Sequence, residues 1–397
     1  MELKIDAAKW RSKKGMGRLL DALGADEQMT RYVGGSVRDK LLNLPISDVD
    51  LATRLRPEDV LRRLESAKIR AVPTGIDHGT ITAISSGSPY EVTTLRRDVS
   101  TDGRRATVAF TDDWEEDAAR RDFTINALSA DPVTGDVFDY FGGKADLLAR
   151  RVRFIGDPLE RIAEDHLRIL RFFRFHARFG MGDPEATGLA ACAQRANDLM
   201  ALSRERIADE LLKLLSVEDP MPTVATMLAH GILTPVLPEI TVASLPRLRA
   251  LVDAEKASGI TEAPLRRLSA LLPFDPPTAE RVAARLKLSN KARKRLACAA
   301  NTELPENSRS LAYFCGTECA IDRLLLAGKT ESASDIAAWR VPRLPIGGGQ
   351  LIERGLRQGP DVAKALREIE LRWVEAGFPK GDALEQIIGE QLRSRAT

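Results

Sequence analysis

The strongest constraint on what this chain can fold into is a change of pattern near residue 150. Before that point lie short β-rich runs, Thr30–Val33, Asp48–Ala52, Gly79–Ile84 and Tyr90–Leu95, each bounded by turn residues. Helical stretches, Val37–Leu44 and Pro57–Ser66, separate them. Beyond it, strand-like runs almost vanish. Arg161–Arg178, Ser203–Leu215, Thr223–His230, Thr278–Lys287 and Asp361–Ala376 instead carry apolar residues at the 3.6-residue period. The pattern predicts an α+β protein, with a small mixed sheet and its helices first and an all-α remainder after it. Pro and Gly clusters at Asp219–Pro222, Pro273–Pro277 and Pro342–Gly349 mark joints within the helical part. The expected segments are 1–25, a helical lead-in, 26–150, the α/β part, and 151–220, 221–335 and 336–397, three helical parts.

Several classes fall away on composition. No run of about 18 apolar residues is present, so no membrane-spanning helix is expected. The opening MELKIDAAKWRSKKG lacks the apolar core of a secretory signal. Four cysteines are too few to frame a chain of 397 residues with disulfides. Cys315 and Cys319 sit four apart with no other Cys or His near them in the sequence, so buried thiols are expected rather than a zinc site. A cytoplasmic enzyme or binding protein remains. The net charge of +2 advertises no polyanionic partner, yet 44 of the 59 basic residues are Arg. Arg suits bidentate contact with phosphates, although a GC-rich genome gives the same bias.

The chemistry concentrates in Val33-Gly34-Gly35-Ser36-Val37-Arg38-Asp39 and Ser47-Asp48-Val49-Asp50-Leu51-Ala52-Thr53. The first reads as strand, Gly-Gly turn and helix start, in which the backbone can approach an anion and Arg38 can add a charge. An ordinary tight turn has the same look. In the second, Asp48 and Asp50 share one face of a strand while Val49 and Leu51 point to the core. Adjacent like charges call for a cation between them, and hard oxygen ligands suit Mg²⁺. Glu91 could add a carboxylate from a neighbouring strand. A calcium loop is excluded because no Gly and terminal Glu follow at the required spacing; a solvated acidic turn is the bland alternative.

These residues resemble a known family. GGSVRDKLLNLPISDVDLAT is similar to the nucleotidyltransferase signature of class II CCA-adding enzymes and bacterial poly(A) polymerases. His78-Gly79-Thr80 and Glu91–Arg96 resemble the family's next strands, Asp102-Gly103-Arg104 its flexible loop, Arg120–Leu128 its second signature and Asp139–Leu147 its third. The resemblance covers residues 31 to 178 closely and the rest only in outline. It implies a DNA polymerase beta-like head and attack of an RNA 3′-hydroxyl on the α-phosphate of a nucleoside triphosphate, with two metals. By resemblance Asp48 and Asp50 are metal ligands and Glu91 the supporting carboxylate. Gly35 and Arg38 match positions at the triphosphate. Arg121 is preferred for a nucleotide contact, with Arg120 as runner-up.

Glu164-Asp165-His166-Leu167-Arg168, followed by Arg171 and Arg174, matches the family's Glu-Asp-x-x-Arg motif. Spacing alone would describe a salt-bridged helix face. With the resemblance, Asp165 and Arg168 form a protein template. A carboxylate accepts from the exocyclic amine of C or A, and a guanidinium donates to their ring acceptors, whereas G and U present the opposite order. Arg171 and Arg174 would hold the ribose or triphosphate, or keep Arg168 in place.

Within the family, a poly(A) polymerase commonly carries a basic C-terminal extension, whereas residues 351–397 hold eight basic and eight acidic residues. A CC-adding enzyme would lack part of the flexible loop, which this chain retains from Arg97 to Thr111. No His-Asp dipeptide is present, so no appended metal phosphohydrolase domain is expected. The implied reaction is addition of C, C and A to the tRNA 3′ end from CTP and ATP, with Mg²⁺, no membrane and no protein partner. A non-catalytic RNA- or nucleotide-binding protein on the same fold is the competing class. Residues 150–178 hold eight Arg against four acids and could lie along the RNA.

Overall fold

The computed structural model describes residues 4–46, 48–102 and 105–394, without the side chains of 98–102 and 105–107. Gly103 and Arg104 of the expected flexible loop, and Ser47, lie outside the described residues. The chain separates into two compact units, residues 1–214 with 229–236, and residues 215–228 with 237–397.

The first unit is built on a seven-stranded mixed sheet. Its strands are β1 (Thr30–Val33), β2 (Asp50–Thr53), β3 (Arg70–Gly75), β4 (Thr80–Ser85), β5 (Ser88–Thr94), β8 (Ser129–Ala130) and β9 (Val137–Phe138), in the order β3-β4-β5-β2-β1-β8-β9. A separate hairpin pairs β6 (Arg96–Asp102) with β7 (Arg105–Phe110). Among the described residues only β2 and β5 pair in parallel, with Leu51 opposite Val92 and Thr53 opposite Thr94. A parallel neighbour requires a crossover, and residues 54–87 supply it with helix Pro57–Ser66 and β3–β4. That helix starts on Pro57 with Glu58 and Asp59 in its first turn, which favours the helix N-terminus electrostatically. Val60 and Leu64, four apart, are its buried stripe.

The expected strands, and the first two helices, recur within a few residues, with two informative differences. Asp48 precedes β2 rather than lying in it; even so, Val49 and Leu51 are buried at 5% and 1% while Asp48 is exposed, so the alternation persists. The single helix expected over 161–178 is two helices, Pro158–Glu164 and Arg168–Phe179, broken at Asp165 (φ −151°, ψ 106°). Asp165 Oδ1 accepts the Leu167 amide at 3.1 Å, and its carbonyl accepts the Arg168 amide at 3.0 Å. A short acidic side chain that satisfies the following amides competes with continued helix. The second helix buries Phe172, Phe173, Phe175 and Phe179, and Phe172 stacks on Phe154 at 5.4 Å with Phe123 at 6.2 Å. That aromatic core anchors the helix and hence the register of its arginines.

All regular elements of the second unit are helices among its described residues. Arg266 and Arg267 share the buried Glu255 carboxylate, and Arg266 Nε also donates to Asp322 at 2.8 Å. Each charge is matched, which is the condition for burying it. Near the C-terminus Trp373 is 2% exposed among Ile346, Leu351, Ile369 and Ile388, and its indole N–H donates to the Pro379 carbonyl at 2.8 Å. The cysteines depart from expectation: Cys298 is disulfide-bonded to Cys319, and only Cys192 is a fully buried thiol. The partner of Cys319 arrives from helix Asn290–Ala299, two helices earlier in the chain, a tertiary approach that local spacing does not reveal.

Candidate active site

A cavity of about 700 Å³ opens on the first unit. Of the residues singled out above, Gly35, Arg38, Asp50, Glu91, Arg121, Asp165, Arg168, Arg171 and Arg174 line it; Asp48 does not. Arg96, Arg120 and Arg178 line it as well, so eight arginines face four carboxylates, Asp50, Glu91, Asp122 and Asp165. The excess of positive charge suits an anionic ligand larger than a single phosphate.

Asp50 and Glu91 stand side by side through strand register, since each directly precedes a residue of the parallel Leu51–Val92 pair. Burial pushes the Asp50 carboxyl above the usual range, the charges of Glu91 and Asp48 push it further, and Arg121 opposes them. A site that resists holding a second negative charge is one that a cation stabilises. The carboxylates do not meet the tightest ligand spacing: among the described residues the set of three whose ligand atoms lie mutually within 4.8 Å is a cysteine cluster elsewhere.

The Gly-Gly turn has a specific geometric origin. Gly34 adopts φ 69°, ψ −130°, and a Cβ there would lie 2.9 Å from Arg121 Nη1. Only glycine fits both conditions. Arg121 then donates to the Asn126 carbonyl at 3.2 Å and pairs with Asp117 at 3.3 Å. Arg120 shares the same Asp117 carboxylate, with Nε and Nη2 both on Oδ1 at 3.0 and 2.8 Å. Arg38 is 5% exposed, lies over the Phe179 ring at 4.1 Å, and donates to Asp39 at 2.8 Å and to Asn126. Its guanidinium is a wall of the cavity with most donors already used.

Every residue of the Asp/Arg ladder is matched by a counter-charge, Glu210 lying within reach of both Arg171 and Arg174. Asp165 Oδ2 accepts from Arg206 at 2.6 Å. Arg168 donates to Glu164 and to the carbonyls of Arg161 and Arg120, the latter two at 2.9 and 3.2 Å. Arg171 Nε donates to Asp122 at 2.7 Å, and Arg174 Nε to Glu210 Oε2 at 2.5 Å.

The cavity-lining segment lies largely within a match to the Poly A polymerase head domain model over residues 30–153, and a second model, the probable RNA and SrmB- binding site of polymerase A, matches residues 184–244. The mouse mitochondrial CCA tRNA nucleotidyltransferase 1 is 33% identical over 95% of this chain and 90% of its own length. The chain belongs to the CCA-adding tRNA nucleotidyltransferase family. A CCA-adding enzyme of Streptococcus gordonii is also 33% identical, over 88% of this chain and 90% of its own. The crystal structure of the Bacillus stearothermophilus CCA-adding enzyme in complex with CTP superposes with a TM-score of 0.75 at 26% identity, covering 97% of this chain and 99% of that one.

In this CCA-adding family member, two pieces of the site were not singled out from the sequence. Asp122, 8% exposed, sits under the arginine ladder; burial alone would raise its carboxyl, but Arg171, Asn126 and the Phe123 amide hold it below the usual range. Arg206 reaches Asp165 from helix Arg204–Leu215. Asp122 stands inside the Arg120–Leu128 segment, so a signal existed. Arg206 had none, because its partner is 41 residues away.

Proposed function

We propose that the cavity adds C, C and A to the 3′ end of tRNA from CTP and ATP, releasing pyrophosphate. As a member of the family the chain is a nucleotidyltransferase with a divalent-metal requirement, and the finer assignment is Mg²⁺. The observation that carries this reading is one cavity joining Asp50 and Glu91 to a wall of arginines. Asp48 and Asp50, with Glu91 in support, would hold Mg²⁺, which when bound activates the attacking hydroxyl and screens the triphosphate. The raised Asp50 carboxyl supports that assignment.

Gly35 and Arg38 border the triphosphate position, and Arg121, whose charge Asp50 feels, is the favoured nucleotide contact over Arg120. Asp165 accepts from the exocyclic amine of C or A and Arg168 donates to the ring acceptors, so that U or G costs about 1–3 kcal/mol per mismatch. The free lone pairs of Asp165 are limited by Arg206, which fixes the carboxylate's orientation. Arg171 and Arg174, paired with Asp122 and Glu210, hold this edge of the cavity in place. The ranges 1–25, 26–150, 151–220, 221–335 and 336–397 serve as lead-in, head, neck, body and tRNA-binding tail. No helix among the described residues is long and apolar enough to cross a membrane; a cytoplasmic location is part of the proposal.

The test supplies tRNA lacking its last three nucleotides with each triphosphate alone and with CTP plus ATP, with Mg²⁺ present or chelated. C, C, then A is the expected product. Long A tracts would indicate poly(A) polymerase, a stop after CC the CC-adding activity, and no incorporation a binding role.

A further inference from the structure

Three of the four cysteines meet in the second unit. Cys298 lies on helix Asn290–Ala299, Cys315 ends helix Ser308–Cys315, and Cys319 is in the first turn of helix Thr317–Leu326. The three sulfurs all lie within 4.8 Å of one another, and no other trio of His, Cys, Asp or Glu among the described residues does so. Cys298 and Cys319 form the disulfide, while Cys315 keeps a free thiol. A disulfide accounts for two of these residues and leaves the third unexplained.

The trio borders a solvent-open cavity of about 330 Å³ that Lys291, Lys294 and Arg295 also line. Glu318 lines it too but is paired with Lys291 at 3.4 Å and Arg295 at 3.3 Å, which leaves sulfur as the available ligand.

We propose that the reduced cluster binds one thiophilic d¹⁰ cation, Zn²⁺ or Cu⁺, through Cys298, Cys315 and Cys319, and that the Cys298–Cys319 disulfide is its metal-free oxidised form. Metal–sulfur bonds of about 2.3 Å place three ligating sulfurs roughly 3.8–4.0 Å apart, so Cys298 and Cys319, bonded to each other here, separate on reduction to reach that spacing, while Cys315 already lies within 4.8 Å of both. A trigonal three-thiolate set completes the Cu⁺ shell, whereas Zn²⁺ takes water in the fourth position, as open sites do. Interconversion is balanced with a dithiol as reductant. The dithiol delivers two electrons and two protons, the Cys298–Cys319 bond breaks to two thiols, and the dithiol closes to its own disulfide. Metal binding then releases the thiol protons to solvent.

The experiment uses the full chain, reduced with a phosphine, desalted without oxygen and titrated with Zn²⁺ or Cu⁺ against a chromophoric chelator. One equivalent of at least one cation should bind, and the separate titrations identify which. The Cys315→Ser chain should still form the Cys298–Cys319 disulfide on oxidation, by mass spectrometry of its peptides, yet bind the metal about 100-fold more weakly or worse. The Cys192→Ser chain should bind like wild type, and oxidised wild type should bind none. If Cys315→Ser loses its far-UV circular dichroism, Cys315→Ala takes its place with the same expectation. Should reduced wild type bind neither cation, or should the Cys315 variant match its affinity, the assignment is overturned.

Discussion

Replacing Arg171 by methionine removes the charge partner of a buried carboxylate while keeping most of the side chain's apolar stem. Asp122 is 8% exposed; its Oδ2 accepts from Arg171 Nε at 2.7 Å, and its Oδ1 accepts from Asn126 Nδ2 and the Phe123 amide, each at 2.9 Å. Removing one partner of a sealed ion pair costs about 3–5 kcal/mol. Arg171 retains 31% side-chain exposure, so water reaches the vacated position, and two hydrogen bonds survive. The expected loss is therefore about 2 kcal/mol, or roughly 4–8 °C in the melting temperature of a unit this size.

The sign of the pH dependence follows from the carboxyl. In wild type it is held below its ordinary value, so its stabilisation is complete above the unfolded pKa of about 3.9 and is lost as pH falls through the folded value. Without Arg171, burial raises it instead, and the variant's deficit is largest near neutrality and shrinks on acidification. Thermal unfolding followed by circular dichroism near pH ~7 and pH ~5 measures both midpoints. The double variant Asp122→Asn/Arg171→Met should recover about 1 kcal/mol or more of the loss. A single variant as stable as wild type at neutrality, a deficit that grows on acidification, or a double variant no better than the single would each refute the reasoning.

Three further outcomes are expected. Asp50→Asn should abolish nucleotide incorporation yet melt at or above the wild-type temperature near neutrality, because burial and Glu91 raise the Asp50 carboxyl and its ionisation opposes folding as pH rises; a midpoint several degrees lower contradicts this. Asp165→Ala should relax the preference for CTP and ATP over UTP more than it slows addition, and Arg206→Ala should act in the same direction but less, since it frees the carboxylate without removing it; equal use of CTP and UTP by wild type would sink both. Gly34→Ala should cost about 1–3 kcal/mol and depress CTP incorporation, because φ 69° is strained for alanine and its Cβ displaces Arg121; unchanged melting and turnover would refute that account.

The first unit was legible where local chemistry repeats. Val49 and Leu51 alternate with Asp48 and Asp50, and the Gly34 turn announces itself, because backbone conformation and burial act there over a few residues. Strand β3 escaped notice, since residues 70–75 include no buried position and carry no apolar alternation. The break at Asp165 was hidden because neither Gly nor Pro stands near it; a side chain capping the next amides causes it. The ladder's spacing was visible, but its counter-charges Asp122, Arg206 and Glu210 arrive from 36 to 49 residues away. The cysteine cluster was illegible for the same reason: helices brought together by packing close it.

The break between helices Pro158–Glu164 and Arg168–Phe179 separates two tasks that one continuous helix would have coupled. A residue inserted after Arg168 would rotate Arg171 and Arg174 by about 100° away from Asp122 and Glu210, yet Asp165, seated on its own extended backbone, would keep its heading. On the proposed reading, base choice and the bracing of the cavity edge can thus drift independently. A lineage, or an engineer, could change the side chain at Asp165 while leaving the aromatic anchor of the second helix untouched.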